Sequence, residues 1–248
     1  MTTEPPWIDQ VLATPIIGIL TAPWVGFSPG IWSSLERLTG KWPDPVSIDA
    51  PTSTSVRVNR SNGMFLHLDP SNLMFGYTYG LLVKDRPGKL PILDSPTQVR
   101  AYSAMLDDVL ECALAMINDA SGPTKRPIIR IGVHADCRLI EGEEPPGIEN
   151  FLKRMSGLWS KELKVVDANF LVECSSGSKT REQCHHQISK NAYDRPKDLR
   201  LKLDWQRLWD PQKLMARAEL ATELRTVITH AKDYFVSFGH DGGLLCRD

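Results

Sequence analysis

The chain has 248 residues and a mass of 27.8 kDa, with 42% hydrophobic and 24% charged residues and a formal charge of −1. This is the composition of an ordinary globular protein that can bury a large core, and the balanced charge excludes a generally basic nucleic-acid binder while leaving room for local patches. The most apolar run, residues 16–27, is about half the length a membrane span needs and is broken by Gly18, Pro23 and Gly26. Met1 to Gln10 has no positive segment leading into an apolar core, so the expectation is a cytoplasmic protein with no membrane association. Cys112, Cys137, Cys174, Cys184 and Cys246 are odd in number and contain no CxxC pair, which suits free thiols in a reducing compartment.

In chain order, Pro15 to Ala22 (PIIGILTA) is the first expected strand, and Ser28-Pro29 opens a short helix through Ile31, Leu35 and Leu38 that stops at Gly40. The proline-rich segment Lys41 to Thr52 is expected as a loop. Three strands follow as an antiparallel meander: Thr54 to Arg60, Met64 to Leu68 and Leu73 to Tyr79, joined by the turn sequences Ser61-Asn62-Gly63 and Asp69-Pro70-Ser71-Asn72. A loop from Lys84 to Pro91 leads to a long helix started by Ser95, Pro96 and Gln98, with Val99, Tyr102, Leu106, Val109, Ala113 and Ile117 as its apolar stripe.

The order then repeats. Pro127 to Val133 (PIIRIGV) is a strand, Ile148 to Trp159 a short helix, and Lys164 to Cys174, Arg181 to Lys190 and Leu199 to Gln206 are three strands. Asp210 and Pro211 open a terminal helix with Leu214, Ala218, Ala221, Leu224, Ile228, Ala231 and Phe235 on its buried stripe and Gly239 as its stop. The expected fold class is therefore α+β, in two similar halves (1–126 and 127–248) of strand, short helix, three strands and long helix. Two long helices cover one face of the antiparallel sheet or sheets, and one compact domain can hold both halves.

This element order, the strand Arg130-Ile131-Gly132-Val133 after the first long helix, the late strand Leu201-Lys202-Leu203-Asp204, and a last helix with His230 five residues before Phe235 resemble a sporadically distributed family of uncharacterised prokaryotic proteins of similar length. In that family the strand continues with Arg, an aromatic and Asn, where this chain has His134-Ala135-Asp136-Cys137-Arg138. The resemblance implies no activity, only a mobile or defence-associated setting.

Cys184-His185-His186 invites a metal reading, but on a strand His185 points away from its neighbours, so the three do not share an ion and no metal or cofactor is expected. His134, Asp136 and Glu141 follow a buried strand, where a hydrolase can place acid–base or ligand groups, and a metal-dependent nuclease would need them to converge with His134 or His185. No GxSxG, phosphate-cradling glycine loop or HExxH accompanies them, so the enzyme question stays open with a non-enzymatic role favoured.

From Lys179 to Lys202 there are seven basic residues against three acidic ones. Lys179, Arg181, Lys190, Arg195 and Lys197 form a candidate partner-binding strip for an acidic protein surface. Nucleic-acid phosphates would suit the same residues, with Tyr193 available to stack; a solvated face that discourages edge pairing is the plain alternative. Trp24, Trp32 and Trp42 near the proline-rich loops would mark a protein interface if exposed. The function expected from these features is a protein-binding regulatory or accessory subunit, in a defence or toxin–antitoxin-like system by the resemblance. The alternative to it is a small-molecule sensor binding between the halves.

Overall fold

The computed structural model describes residues 5–23, 29–44, 46–52, 55–78, 83–86, 89–93, 100–119, 126–157, 167–175, 180–190 and 198–240. The chain begins with a single helical turn, α1 (Trp7–Gln10), followed by β1 (Leu12–Thr21) and α2 (Pro29–Thr39). Strands β2 (Val46–Thr52), β3 (Ser55–Arg60), β4 (Met64–Leu68) and β5 (Asn72–Tyr77) come next, then a hairpin of β6 (Val83–Arg86) and β7 (Lys89–Leu93), then the long helix α3 (Tyr102–Asn118). The second half runs β8 (Pro127–Ile140), α4 (Pro146–Gly157), β9 (Asp167–Ser175), β10 (Thr180–Lys190), β11 (Asp198–Leu214) and α5 (Arg217–Phe238).

Nine of these strands form one antiparallel sheet in the order β2-β3-β4-β5-β1-β8-β11-β10-β9. Each half builds its own part in the same way: the opening strand (β1 or β8) pairs with the last strand of its meander (β5 or β11), and the two opening strands pair with each other. The fold is thus α+β with repeated halves, joined along β1 and β8. The alternation of apolar residues explains the layers. Ala13, Ile17 and Ile19 on β1, Ile131, Val133, Ala135 and Cys137 on β8, and Leu201, Leu203 and Trp205 on β11 are buried on one face, beneath α3 and α5.

The helices meet through Tyr102 and Phe235, whose rings lie edge to face with centroids 6.5 Å apart. Tyr234 donates or accepts a buried hydrogen bond of 2.8 Å with Nε2 of His186 and packs on Trp205, fixing α5 to β10 and β11. Turn chemistry sets the meander: Gly63 takes a φ of 89°, and Asp69 accepts the backbone N–H groups of Ser71 and Asn72 at 2.9 and 2.8 Å.

Several expected boundaries move. The segment Lys41 to Thr52 contains β2, an edge strand, where Pro51 need not donate to an inner neighbour. Lys84 and its neighbours belong to the β6–β7 hairpin rather than to a loop. Ser95, Pro96, Gln98 and Val99 lie outside the described residues, and α3 starts at Tyr102 without a local cap. Asp210 and Pro211 do not open a helix. They lie inside β11, where the register with β8 jumps between Leu208 and Lys213, and a bulge is a position that tolerates a residue without an N–H. Helix α5 therefore starts at Arg217, and Leu214, expected on its stripe, is an exposed strand residue. Ala218 is exposed as well; Leu220, Val227 and Tyr234 complete the buried stripe.

Candidate binding face of the sheet

The face of the sheet away from α3 and α5 brings together the polar residues that alternate with the core. Strand β8 does not stop at Val133: it continues to Ile140, so His134 and Asp136 stand within the central sheet instead of following it, and Glu141 lies beyond its end. Cross-strand register aligns Asp204, His134, Ile16 and Gly76 in one row, and Gln206, Gly132, Gly18 and Met74 in the next. Gly18 and Gly132 face each other at the junction of the halves.

These rows form a depression of about 280 Å3, with Ile16, Leu20, Asn72 and Met74 on the N-terminal side and Arg130, His134, Asp204 and Gln206 on the other. The polar wall is connected. Arg130 donates to Oε1 of Gln206 at 3.0 Å, as does Gln183 at 3.2 Å, and Gln206 donates to Oδ2 of Asp204 at 2.6 Å. Burial holds the His134 imidazole below its ordinary pKa, against the opposing pull of Asp204 and Asp136, which favours the neutral ring.

One row further along, Arg200 forms a two-pronged ion pair with Asp136, one arm of 2.9 Å. Asp136 is thereby committed to a cation and not presented with His134 as a pair of reacting groups. The alternation on β10 separates the Cys184-His185-His186 triplet as expected: Cys184 and His186 are buried on the helix side, and His185 is exposed opposite Asp204. Among the described residues there is no group of three His, Cys, Asp or Glu side chains that could hold a metal ion.

Of the candidate strip, Arg181 is exposed and pairs in register with Leu208, while Lys190 is placed by its backbone pairing with Leu199. Lys179, Arg195 and Lys197 lie outside the described residues. Arg200 and Lys202, counted in the same basic run, join Arg181 on the residues that alternate with the buried set of β10 and β11. Trp32 is exposed on α2, Trp42 lies beneath the Arg60 guanidinium at 4.9 Å, and Trp24 lies outside the described residues. Sequence reasoning missed Asp204, Gln206 and Arg130 as neighbours of His134. The paired glycines within strands were the available signal, because glycine in a strand interior marks close approach or a bulge.

On the far side of the sheet, Arg207 bridges Glu182 of β10 and Glu223 of α5, the latter at 2.6 Å, and His230 lies 3.1 Å from Glu182. This cluster ties helix to sheet. Cys112, Cys137 and Cys184 are buried, and burial raises the Cys112 thiol pKa to about 12, which makes it a poor nucleophile.

Fold and face together define an α+β protein with repeated halves and a mixed apolar and charged sheet surface at their junction. No family model, no curated protein and no solved structure matches the chain. Among the described residues no helix is long and apolar enough to cross a membrane.

Proposed function

We propose that the chain is a non-enzymatic regulatory or accessory subunit that binds another protein on the sheet face opposite α3 and α5. The observation that carries this reading is the one-sided cover of a nine-stranded sheet among the described residues: both long helices pack on one face, and the other presents part-exposed apolar residues beside charged ones. Such a surface, with an apolar centre and a charged surround, has the anatomy of a protein contact. Arg181 and Lys202 give its C-terminal part a positive edge suited to an acidic partner. A prokaryotic defence or toxin–antitoxin-like setting is supported by the family resemblance alone.

The test is quantitative co-purification from the native host with Arg181→Glu and Lys202→Glu combined, read by mass spectrometry at low and high salt. A partner recovered with the wild-type chain should be lost with this variant and retained with Lys232→Glu on α5. Thermal unfolding should stay the same, because surface substitutions change stability by about 0.5 kcal/mol or less. Unchanged recovery and salt dependence would remove this face as the contact.

A further inference from the structure

Three glycines occupy neighbouring positions on the three central strands, and only one is explained by packing. A Cβ on Gly76 would lie 2.8 Å from Cγ1 of Ile16 and from the Pro15 carbonyl oxygen, and 3.0 Å from Phe65, so that position has no room for a side chain. Gly18 is the opposite case. Among the described residues a Cβ there would meet nothing within 4 Å, and at Gly132 the nearest atoms are at ordinary contact distance, 3.4 to 3.6 Å. Neither glycine has a positive φ. Backbone strain and crowding therefore do not account for them, although glycine inside a strand is disfavoured relative to residues with side chains. Their effect is to leave bare backbone as the floor of the depression between the halves.

The walls specify what such a floor can hold. A strip of two adjacent extended backbones offers flat peptide planes, one wall is mostly apolar (Ile16, Leu20 and Met74, beside Asn72, whose amide donates to Asp69) and the other carries acceptors and a guanidinium. Gln206 occupies only Oδ2 of Asp204, and Oδ1 lies 3.6 Å from the Cβ position of Gly132, above the floor. The volume of about 280 Å3 is just below the range of about 300–1,000 Å3 for ligand pockets, enough for one ring system.

We propose that the depression over Gly18 and Gly132 binds a planar, amino-substituted nitrogen heterocycle of purine size, whose face lies on the glycine backbones. Its exocyclic N–H group donates to Asp204, its ring acceptors face Arg130, and its apolar edge meets Ile16, Leu20 and Met74. The site stands on the glycine geometry and is independent of the protein-partner reading.

The test is titration of the full chain with 2-aminopurine, followed by its fluorescence, with adenine as competitor and unsubstituted purine as the analogue that lacks the amino donor. Saturable binding with a dissociation constant below about 1 mM is expected, and purine should bind at least about tenfold more weakly because the Asp204 carboxylate is left without its donor. Gly18→Val should abolish binding while the thermal midpoint stays unchanged or rises, since a strand position gains a β-branched side chain in open space. Asp204→Asn, which keeps the shape, should weaken 2-aminopurine by about tenfold and purine little. Absence of saturable binding by both aminopurines, or binding that survives both substitutions, overturns the proposal. If Gly18→Val fails to fold, Asp204→Asn alone decides it.

Discussion

His134 stands at the centre of the molecule with its carbonyl accepting from Tyr102 at 3.2 Å, and its ring beside Asp204 and Asp136 in the sheet surface. Burial depresses its folded pKa below the unfolded value of about 6.5. Between these two values the unfolded chain carries a proton that the native chain does not, so stability rises with pH across that window. The contribution is fully present above the unfolded pKa, is lost as pH falls below it, and levels off beneath the folded pKa. His134→Gln should therefore lose less stability than the wild type on going from about pH 7.5 to about pH 5.5, as measured by urea midpoints. Equal losses in the two proteins would show that His134 does not contribute. At the same scale, Gly239 ends α5 as its sequence position suggests, but in a right-handed conformation (φ −82°). Its glycine is required by contact, since a Cβ would clash with the ring of Trp7, whose indole N–H donates to the Phe235 carbonyl at 2.8 Å.

At the scale of the element, α3 illustrates a helix start supplied from elsewhere. Ala101 at its N-cap makes no side-chain hydrogen bond, and the Ser103 N–H is instead accepted by Oδ1 of Asp9, at 2.7 Å, from α1. The carboxylate both satisfies a first-turn donor and complements the positive end of the helix. Asp9→Ala should cost about 1 kcal/mol, within the range of about 0.5–2 for lost caps, and Asp9→Asn, which keeps an acceptor, should recover most of it. Chemical denaturation distinguishes the three proteins; an Asp9→Ala chain as stable as the wild type would mean that water serves the Ser103 N–H equally well. The Arg207–Glu182–Glu223 cluster does the corresponding work for α5, holding it to β10 and β11 through part-buried charges.

At the scale of the molecule, both halves run strand, helix, antiparallel meander and long helix, the first adding α1, the edge strand β2 and the β6–β7 hairpin, yet they share their core. β1 and β8 pair over most of their length, α3 packs on α5, and α1 from the first half touches α5 of the second. Separated, each half would expose an inner strand edge and the apolar surface of its long helix. Fragments 1–126 and 127–248 expressed alone should each lack cooperative unfolding, and mixing them should restore a single transition seen by circular dichroism. A fragment that unfolds cooperatively alone would make the halves independent domains.

The sequence by itself determined the kinds and order of the elements other than α1, β2 and the β6–β7 hairpin, because apolar periodicity of two or about 3.6 and turn residues such as Gly63 and Asp69 act within a few positions of the chain. It also placed Cys184 and His186 on one side of a strand and His185 on the other. Only the tertiary structure decided which strands became neighbours: β1 beside β8, setting Gly18 opposite Gly132, and β8 beside β11, bringing Asp204 to His134 and Asp136 to Arg200. The same holds for the bulge that absorbs Pro211 and for Asp9 at the start of α3. Each of these joins residues tens to about a hundred positions apart, and their pairing is set by how two apolar sheet halves and two helices bury one shared core, a collective effect that no local stretch of sequence encodes.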